Sequence, residues 1–192
     1  MSSFELIYFP LPGRGESIRN ILKYANANWE ETNPDWPSAK SQTPFGKLPV
    51  LVETNSRGEK FTLTETRVIE RYLATIFNLY PRNATPQTIA TIDQYRDQYS
   101  DVFDLFVFVN YAKETNKQQA FDDAARNLVQ KHEEILRKNG SNGHYFGGSI
   151  TYVDISAYSL IHALKQAGFG KEFSEDKAPE LNKLLKTVQS KL

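Results

Sequence analysis

The sequence predicts two successive units, an α+β domain followed by an all-helical domain. Strand and helix patterns alternate over residues 1–77, whereas every strong pattern beyond residue 86 has helical spacing. A stretch from Leu79 to Pro86, with prolines near both ends, separates the two regions and is typical of a linker. We therefore expect a small sheet with packed helices over residues 1–78, a linker over 79–86 and a helical bundle over 87–192.

The first region predicts the order β-α-β-loop-β-β-α. Phe4 to Phe9 is rich in aromatic and β-branched residues, and the Pro10-Leu-Pro-Gly13 turn ends that strand. Apolar residues then recur at helical spacing from Glu16, and two prolines follow a second short strand. The later elements, in chain order, are strands over residues 49–53 and 60–63 and a helix over residues 65–77.

Apolar spacing beyond the linker predicts a bundle of helices. One long amphipathic helix includes Ile89 to Phe106, and another includes Phe121 to Ile135. The run Thr151-Tyr-Val-Asp154 resembles a capping box that starts a buried helix at Tyr152. Ala178-Pro179 then opens a final helix, because proline suits the first helical position.

Composition excludes several classes of protein. Lysine plus arginine and aspartate plus glutamate each number 23, so the formal net charge is zero. This balance favours neither nucleic acid nor an anionic membrane surface as a partner. Cysteine is absent and the 3 histidines lack metal-ligand spacing, so we expect no disulfide, no thiol nucleophile and no metal. No signal-peptide pattern or membrane-length apolar run is present, and we expect a cytoplasmic protein.

Several short motifs follow one another along nearly the whole chain. They are Tyr8-Phe9, Gly13-Arg-Gly-Glu16 with Ile18-Arg19, Trp36-Pro37 with Lys40, Pro44-Phe-Gly-Lys-Leu-Pro49, and Glu65-Thr66 with Ile69 and Arg71-Tyr-Leu-Ala74. Their order and spacing resemble the cytosolic glutathione transferases, most closely the sigma class. The resemblance implies a thioredoxin-like N-terminal domain of order β-α-β-α-β-β-α, an all-helical C-terminal domain, and glutathione as co-substrate.

By this resemblance, Tyr8 is the catalytic residue and donates a hydrogen bond to the glutathione sulfur. A thiol of pKa about 8.5 is only about 3% ionised at pH 7, whereas a pKa about two units lower makes it about 75% ionised. That shift corresponds to about 2.7 kcal/mol, which one charge-assisted hydrogen bond and a helix N-terminus can supply. The alternative from position alone is that Tyr8 simply ends an aromatic-rich strand.

The resemblance assigns further residues to the cysteinyl and γ-glutamyl parts of glutathione. Leu48-Pro49 matches a cis-proline turn that leaves the Leu48 main chain to pair with the cysteinyl part. Glu65-Thr66 starts a helix whose N–H groups, with the Thr66 hydroxyl, would receive the γ-glutamyl carboxylate. Most of the family has Gln-Ser there, so Glu65 adds a negative charge that could pair with the ammonium. The plainer alternatives are a trans proline opening a strand, an N-cap threonine and a first-turn acid.

The glycine carboxylate is assigned, again by resemblance, to Trp36 and Lys40, with Lys47 adjacent. Arg14 would support Tyr8 structurally or electrostatically. The loop between Thr32 and Trp36 is shorter than the sigma pattern. Exposed lysines are also commonly just solvated, so both interpretations of Lys40 stay open.

The long helix predicts an acidic ridge, formed by Asp93, Asp97, Asp101 and Asp104. The plain interpretation of such a ridge is a solvated face. The resemblance instead implies a homodimer in which Asp101 reaches the γ-glutamyl ammonium in the partner's site.

An electrophile pocket between the domains is also implied by the resemblance. Its expected lining is Phe9 and Leu11 from the first turn and Phe103, Phe106 and Phe108 from the long helix. Aromatic residues at helical spacing more often belong to a core, and we prefer that interpretation for Phe106.

The resemblance as a whole predicts a dimeric glutathione S-transferase that conjugates apolar electrophiles, as in detoxification. Two alternatives remain open. One is a glutathione-binding carrier or structural protein, like the lens crystallins related to the sigma class, although the presence of Tyr8 and Thr66 favours retained glutathione binding. The other is a glutathione-dependent isomerase of the prostaglandin type, which these residues do not distinguish from a conjugating enzyme.

Overall fold

The computed structural model describes residues 2–192 and divides the chain into two compact units, Met1–Phe77 and Asn78–Leu192. The first unit contains four strands and two α-helices, in the order β1 Ser3–Ile7, α1 Glu16–Tyr24, β2 Trp29–Thr32, β3 Val50–Thr54, β4 Lys60–Thr64 and α2 Thr66–Ile76. The described part of the second unit contains the four α-helices α3 Pro86–Asn110, α4 Gln118–Lys138, α5 Tyr152–Gln166 and α6 Pro179–Gln189.

The first unit is built on a mixed sheet with strand order β2-β1-β3-β4. Strand β1 is parallel to β2 and antiparallel to β3, and β3 is antiparallel to β4. Leu6 of β1 faces Leu51 of β3 in register, and both side chains are buried. Together with α1 and α2 this is the thioredoxin-like arrangement, so the predicted α+β class of the first unit is confirmed.

The segment between β2 and β3 differs from the full β-α-β-α-β-β-α order. It contains a 3-10 helix, Ser38–Gln42, where that order has an α-helix. Pro37 precedes this short helix and Pro44 follows it closely, so few residues remain between two positions that restrict their neighbours. A 3-10 turn is the form that so short a segment can adopt.

Helices α1 and α2 bury one apolar face each. Ile21 and Leu22 of α1 and Leu73 of α2 are fully buried, as their helical spacing predicts. A polar contact joins the two helices, because the hydroxyl of Ser17 donates to the fully buried carboxylate of Glu70. That contact satisfies two polar groups that would otherwise be costly to bury.

The second unit is all-helical, as predicted, and α5 lies at its centre. Most residues of α5 are buried. The predicted capping box is present, because the Thr151 N–H and hydroxyl donate to Asp154 Oδ2 at 2.7 and 2.6 Å. Burial raises the pKa of Asp154 above its usual value despite these hydrogen bonds. Within residues 2–192, no helix has the length and apolar character needed to cross a membrane.

Candidate active site

Tyr8 follows β1 directly and lies against the tight turn that leads into α1. Its side chain is 6% exposed, and its hydroxyl oxygen accepts the main-chain N–H of Arg14 at 2.8 Å. The turn fits closely around the ring: a Cβ atom at Gly13 would lie 2.5 Å from the hydroxyl oxygen, and one at Gly15 would lie 2.5 Å from Cδ1. The contact of Arg14 with Tyr8 is made by its main-chain N–H, and the supporting role expected of Arg14 stays a prediction.

Arg19 organises the loop that follows Tyr8. Its guanidinium donates to three main-chain oxygens of that loop, those of Phe9, Leu11 and Pro12. It also forms ion pairs with Glu16 and Glu31, and lies 5.6 Å from the centre of the Tyr8 ring. Burial acts to lower the pKa of Arg19, but the hydrogen bonds to the two carboxylates outweigh it and raise the pKa above its usual value.

The sequence indicates Arg19 only as a part of a motif, although one signal was available. Arg19 lies next to Ile18 in the buried face of α1, a position where an unpaired arginine is rarely found. Glu16 precedes it by three residues, which places a carboxylate on the same helix face. A charged residue in an apolar stripe with such a neighbour indicates a paired, positioning role.

Leu48-Pro49 is a cis peptide bond, as predicted. Leu48 is half-buried and precedes the β3 ladder, which begins at Val50. Its main chain therefore lies just before the start of β3 and is not part of the β3 pairing. Trp36-Pro37 is also cis, which the sequence analysis does not predict.

Glu65 and Thr66 form the start of α2, but their roles differ from the plainer prediction. Glu65, not Thr66, is the N-cap residue, and Thr66 is the first residue of the helix. Glu65 has φ 68° and ψ 109°, a left-handed conformation that is strained for a residue with a Cβ atom. Glu65 is exposed, and its side chain makes no capping hydrogen bond to α2. The first N–H groups of α2 have no acceptor within the helix.

The residues expected to hold the glycine carboxylate lie on the segment between β2 and β3. Trp36 is half-buried and meets Phe9 edge-on, with ring centres 5.8 Å apart. Lys40 is exposed at the 3-10 helix, and its Cε atom would lie 3.4 Å from a Cβ atom at Gly46. Lys47 is exposed on the following loop.

The acidic ridge on α3 is not uniform. Asp93 accepts hydrogen bonds from the hydroxyls of Tyr80 and Tyr152, so it is part of the fold and does not belong to a solvated face. Asp97 and Asp104 are half-buried, whereas Asp101 is exposed.

The aromatic residues of α3 also divide into two groups. Phe103 and Phe106 are buried, and Phe106 packs edge-on against Phe169 at 5.1 Å between ring centres. This burial favours the core interpretation preferred for Phe106. Phe108 is 40% exposed, and the ammonium of Lys117 lies 3.5 Å from its ring centre.

The loop that follows β1 holds the remaining pair of predicted lining residues. Phe9 is half-buried and Leu11 is exposed. Both main-chain oxygens accept from Arg19, so the loop is anchored while the Leu11 side chain reaches solvent.

The histidines form no metal site in residues 2–192, where no group of three or more candidate ligands is placed to hold an ion. His132 is fully buried on α4, and its ring nitrogens contact the Tyr145 hydroxyl and Gln98 Oε1. Burial lowers the pKa of His132 to about 4. His132 is therefore a neutral packing residue near pH 7.

Two family models match this chain on either side of the predicted linker. Residues 4–75 match the N-terminal domain of glutathione S-transferase, and residues 100–191 match its C-terminal domain. The chain belongs to the glutathione S-transferase family. The resemblance seen in the motifs is thereby confirmed at the level of the family.

Individual relatives are about a third identical to this chain over the aligned residues. The "probable glutathione S-transferase 6" of Caenorhabditis elegans is 34% identical over 165 residues, covering 81% of this chain and 77% of that protein. The "hematopoietic prostaglandin D synthase" of Gallus gallus is 30% identical over 161 residues, covering 80% of this chain and 75% of that protein.

Solved structures agree on the fold of this transferase. A glutathione S-transferase structure from Caenorhabditis elegans has a TM-score of 0.82 at 30% identity, covering 100% of this chain and 94% of that one. The sigma class transferase of Fasciola hepatica has a TM-score of 0.84 at 24% identity, covering 99% and 91% respectively. The second likeness supports the fold alone, because its sequence identity is low.

Proposed function

We propose that this transferase conjugates glutathione to apolar electrophiles and that Tyr8 activates the thiol. The main supporting observation is the 2.8 Å hydrogen bond from the Arg14 N–H to the Tyr8 hydroxyl oxygen. A hydroxyl that accepts a hydrogen bond is polarised and becomes a better donor to a second partner. The close fit of Gly13 and Gly15 around the ring keeps that oxygen in one place, which favours the productive geometry.

The first unit has groups that match the charges of glutathione. The N-terminus of α2 attracts a carboxylate, and the exposed Glu65 carboxylate beside it suits the γ-glutamyl ammonium. Trp36, Lys40 and Lys47 supply an indole N–H and two ammonium groups for the glycine carboxylate. Two further groups complete the proposed set. The Leu48 main chain, before the cis bond to Pro49, would pair with the cysteinyl part, and Thr66, the first residue of α2, would meet the γ-glutamyl carboxylate.

The proposed wall for the electrophile is aromatic and aliphatic. In the first unit it comprises Phe9 and Leu11. Of the three phenylalanines expected from α3 of the second unit, Phe108 is exposed, whereas Phe103 and Phe106 are buried. We assign glutathione binding to residues 1–78, the linker to 79–86, and electrophile binding and the dimer contact of Asp101 to 87–192. Apolar electrophiles would be held here by burial of their surface.

A homodimer is supported by exposed apolar side chains on the first unit. Phe45 is 70% exposed, and Phe61, Val68 and Ile76 are also exposed, the last two on one face of α2. Large apolar side chains exposed on a folded unit are typical of surfaces that are covered in an assembly. We propose that a second copy covers these side chains and that the exposed Asp101 of one copy reaches the γ-glutamyl ammonium in the other. Sedimentation velocity should give the mass of a dimer, and a monomer would contradict this.

Membership in the sigma class and a cytoplasmic location are part of the same proposal. The supporting observation for the class is the order of the sequence motifs, from Tyr8-Phe9 to Arg71-Tyr-Leu-Ala74. A second candidate function is isomerisation of the prostaglandin type, because a relative of 30% identity carries the name prostaglandin D synthase.

The test combines retention on immobilised glutathione with turnover of chlorodinitrobenzene. We expect retention, turnover, and about a 25-fold lower kcat/KM at pH 7 for Tyr8→Phe, which follows from the ionised fractions of about 75% and about 3%. Tyr24→Phe, on α1 of the same unit, is the matched control and should retain the wild-type rate.

Each other outcome has a separate meaning. Retention without turnover would indicate a carrier. Isomerisation of a prostaglandin endoperoxide without conjugation would favour the second candidate. Full activity of Tyr8→Phe would show that another group activates the thiol.

A further inference from the structure

The Phe9 ring lies between the rings of Tyr8 and Trp36. Its ring meets the Trp36 ring edge-on, with centres 5.8 Å apart and planes at 87°. The same ring lies 5.5 Å from the Tyr8 ring, tilted by 59°. Phe9, proposed for the electrophile wall, is therefore the middle one of three neighbouring aromatic rings. On one side is Tyr8, proposed to activate the thiol, and on the other is Trp36, proposed for the glycine carboxylate.

Trp36 lies on a segment with little regular structure to hold it. Only residues 33–35 separate it from the end of β2, and the 3-10 helix begins two residues later, at Ser38. Its side chain is only half-buried, so a contact with a neighbouring side chain is needed to fix its position. An edge-to-face aromatic contact can fix a ring in this way. Loss of such a contact typically changes an equilibrium constant about three- to tenfold.

Lys40, the other main candidate for the glycyl end, is held in a different way. Its side chain runs past Gly46, where an added Cβ atom would lie 3.4 Å from Lys40 Cε and 3.7 Å from Cγ. This contact belongs to the loop before β3 and does not include Phe9. Phe9 is thus placed to act on glutathione through Trp36, and Lys40 provides an independent contact that remains when Phe9 is changed.

We propose that Phe9 is a positioning residue for glutathione: its ring holds Trp36 so that the indole N–H meets the glycine carboxylate. The proposal rests on the proposed function and adds that one side chain serves both substrates. By thermodynamic reciprocity, an electrophile that displaces the Phe9 ring also changes the affinity for glutathione, and glutathione changes the affinity for that electrophile by the same factor.

The test uses calorimetric titration of glutathione together with tryptophan fluorescence. The protein has 2 tryptophans, so a Trp29→Phe background leaves Trp36 as the single reporter. In that background, Phe9→Leu should raise the Kd for glutathione about three- to tenfold and shift the Trp36 emission, because the indole loses its edge-on neighbour. Phe9→Tyr retains an aromatic edge and should restore both values.

Phe77→Leu is the matched control for general loosening of the first unit. The Phe77 ring meets Phe4 edge-on at 5.7 Å, a pair of the same kind that does not include Trp36. Phe77→Leu should leave the Kd for glutathione and the Trp36 emission unchanged, even where it lowers the melting temperature as much as Phe9→Leu does.

A double-mutant cycle decides whether Phe9 acts through Trp36. In a Trp36→Leu background, Phe9→Leu should cause no further loss of glutathione affinity. Additive losses, or a Phe9→Leu variant that binds glutathione as tightly as its parent, would overturn the proposal. A parent protein that fails to bind glutathione at all would instead refute the proposed function, so the two failures are distinguishable.

Discussion

The guanidinium of Arg19 lies 5.6 Å from the centre of the Tyr8 ring. The same group donates from Nε to Glu31 Oε2 at 2.9 Å and holds three main-chain oxygens of the loop that follows Tyr8. One largely buried charge thus ties together α1, β2 and the loop that follows Tyr8. Since its carboxylate partners offset its charge, the contribution of Arg19 to the site is chiefly geometric.

Replacement of Arg19 should therefore destabilise the fold. We expect Arg19→Met to lower the free energy of unfolding by about 3 kcal/mol, the low end for a broken buried pair, because Glu16 and Glu31 retain partial contact with water. Arg57→Met is the matched control: Arg57 pairs with Glu59 on the surface, and its loss should cost under about 1 kcal/mol. If urea unfolding gave the same loss of unfolding free energy for both variants, the Arg19 network would be no more important than a surface ion pair.

The turn beside Tyr8 should tolerate no side chain at position 15. Gly15 has φ −84°, which alanine adopts readily, so Gly15→Ala tests only the contact between the new methyl group and the Tyr8 ring. We expect kcat/KM with chlorodinitrobenzene to fall about tenfold or more, because a small displacement of a reacting group has a large effect on rate. Gly148→Ala meets no atom within 4 Å and should keep the wild-type rate. Wild-type turnover by Gly15→Ala would contradict a fixed Tyr8.

Stability should depend on pH through His132. The pKa of His132 is lowered by burial to about 4, compared with about 6.5 in an unfolded chain. Between these values the unfolded chain binds a proton that the folded protein does not, so falling pH lowers stability over this window, by about 3 kcal/mol in total. The free energy of unfolding, measured with urea, should therefore fall less between pH 7 and pH 4 in His132→Phe than in the wild type.

Tyr145→Phe provides the control for that experiment. It removes the hydroxyl that contacts His132 Nδ1 but keeps the imidazole in its buried position. We expect lower stability at every pH with the pH-dependent decrease retained. An unchanged pH dependence in His132→Phe would show that other groups cause the acid sensitivity.

Glu133 should stabilise the second unit by capping α6. Its buried carboxylate accepts the N–H groups of Glu180 and Leu181 at 3.1 and 2.8 Å. Glu133→Ala leaves both donors without that acceptor, and we expect a loss of about 2 kcal/mol in unfolding free energy. The neighbouring Glu134→Ala removes only an exposed pair with Lys138 and should leave the free energy of unfolding nearly unchanged. Similar losses for both variants would contradict the capping role.

Local patterns were sufficient to predict most of the elements. The capping box at Thr151 and Asp154 and the proline at the start of α6 depend on neighbours within one turn, so they can be read from the sequence. The order of elements implied by the resemblance predicts an α-helix where the structure has the 3-10 helix Ser38–Gln42. That order does not take account of the short distance between Pro37 and Pro44, which decides the form of this helix.

Long-range pairing explains what sequence reasoning missed in the site. Asp93 reads as one member of an acidic ridge, but Tyr152, which is 59 positions away in sequence, donates to it. Arg19 acts on oxygens of a loop whose path depends on the whole sheet. The motifs around Tyr8 have a characteristic order, so they single it out as a candidate, and its role stays a prediction. The edge-on contact of Phe9 with Trp36 has no local signal.

The most direct test of the account is the ionisation of enzyme-bound glutathione, followed by the ultraviolet absorbance of its thiolate across pH. For the wild-type protein we predict a midpoint about two pH units below the free thiol value of about 8.5, and for Tyr8→Phe a midpoint close to that free value. An unshifted midpoint in the wild-type complex, or an equally low midpoint in Tyr8→Phe, would contradict the role assigned to Tyr8.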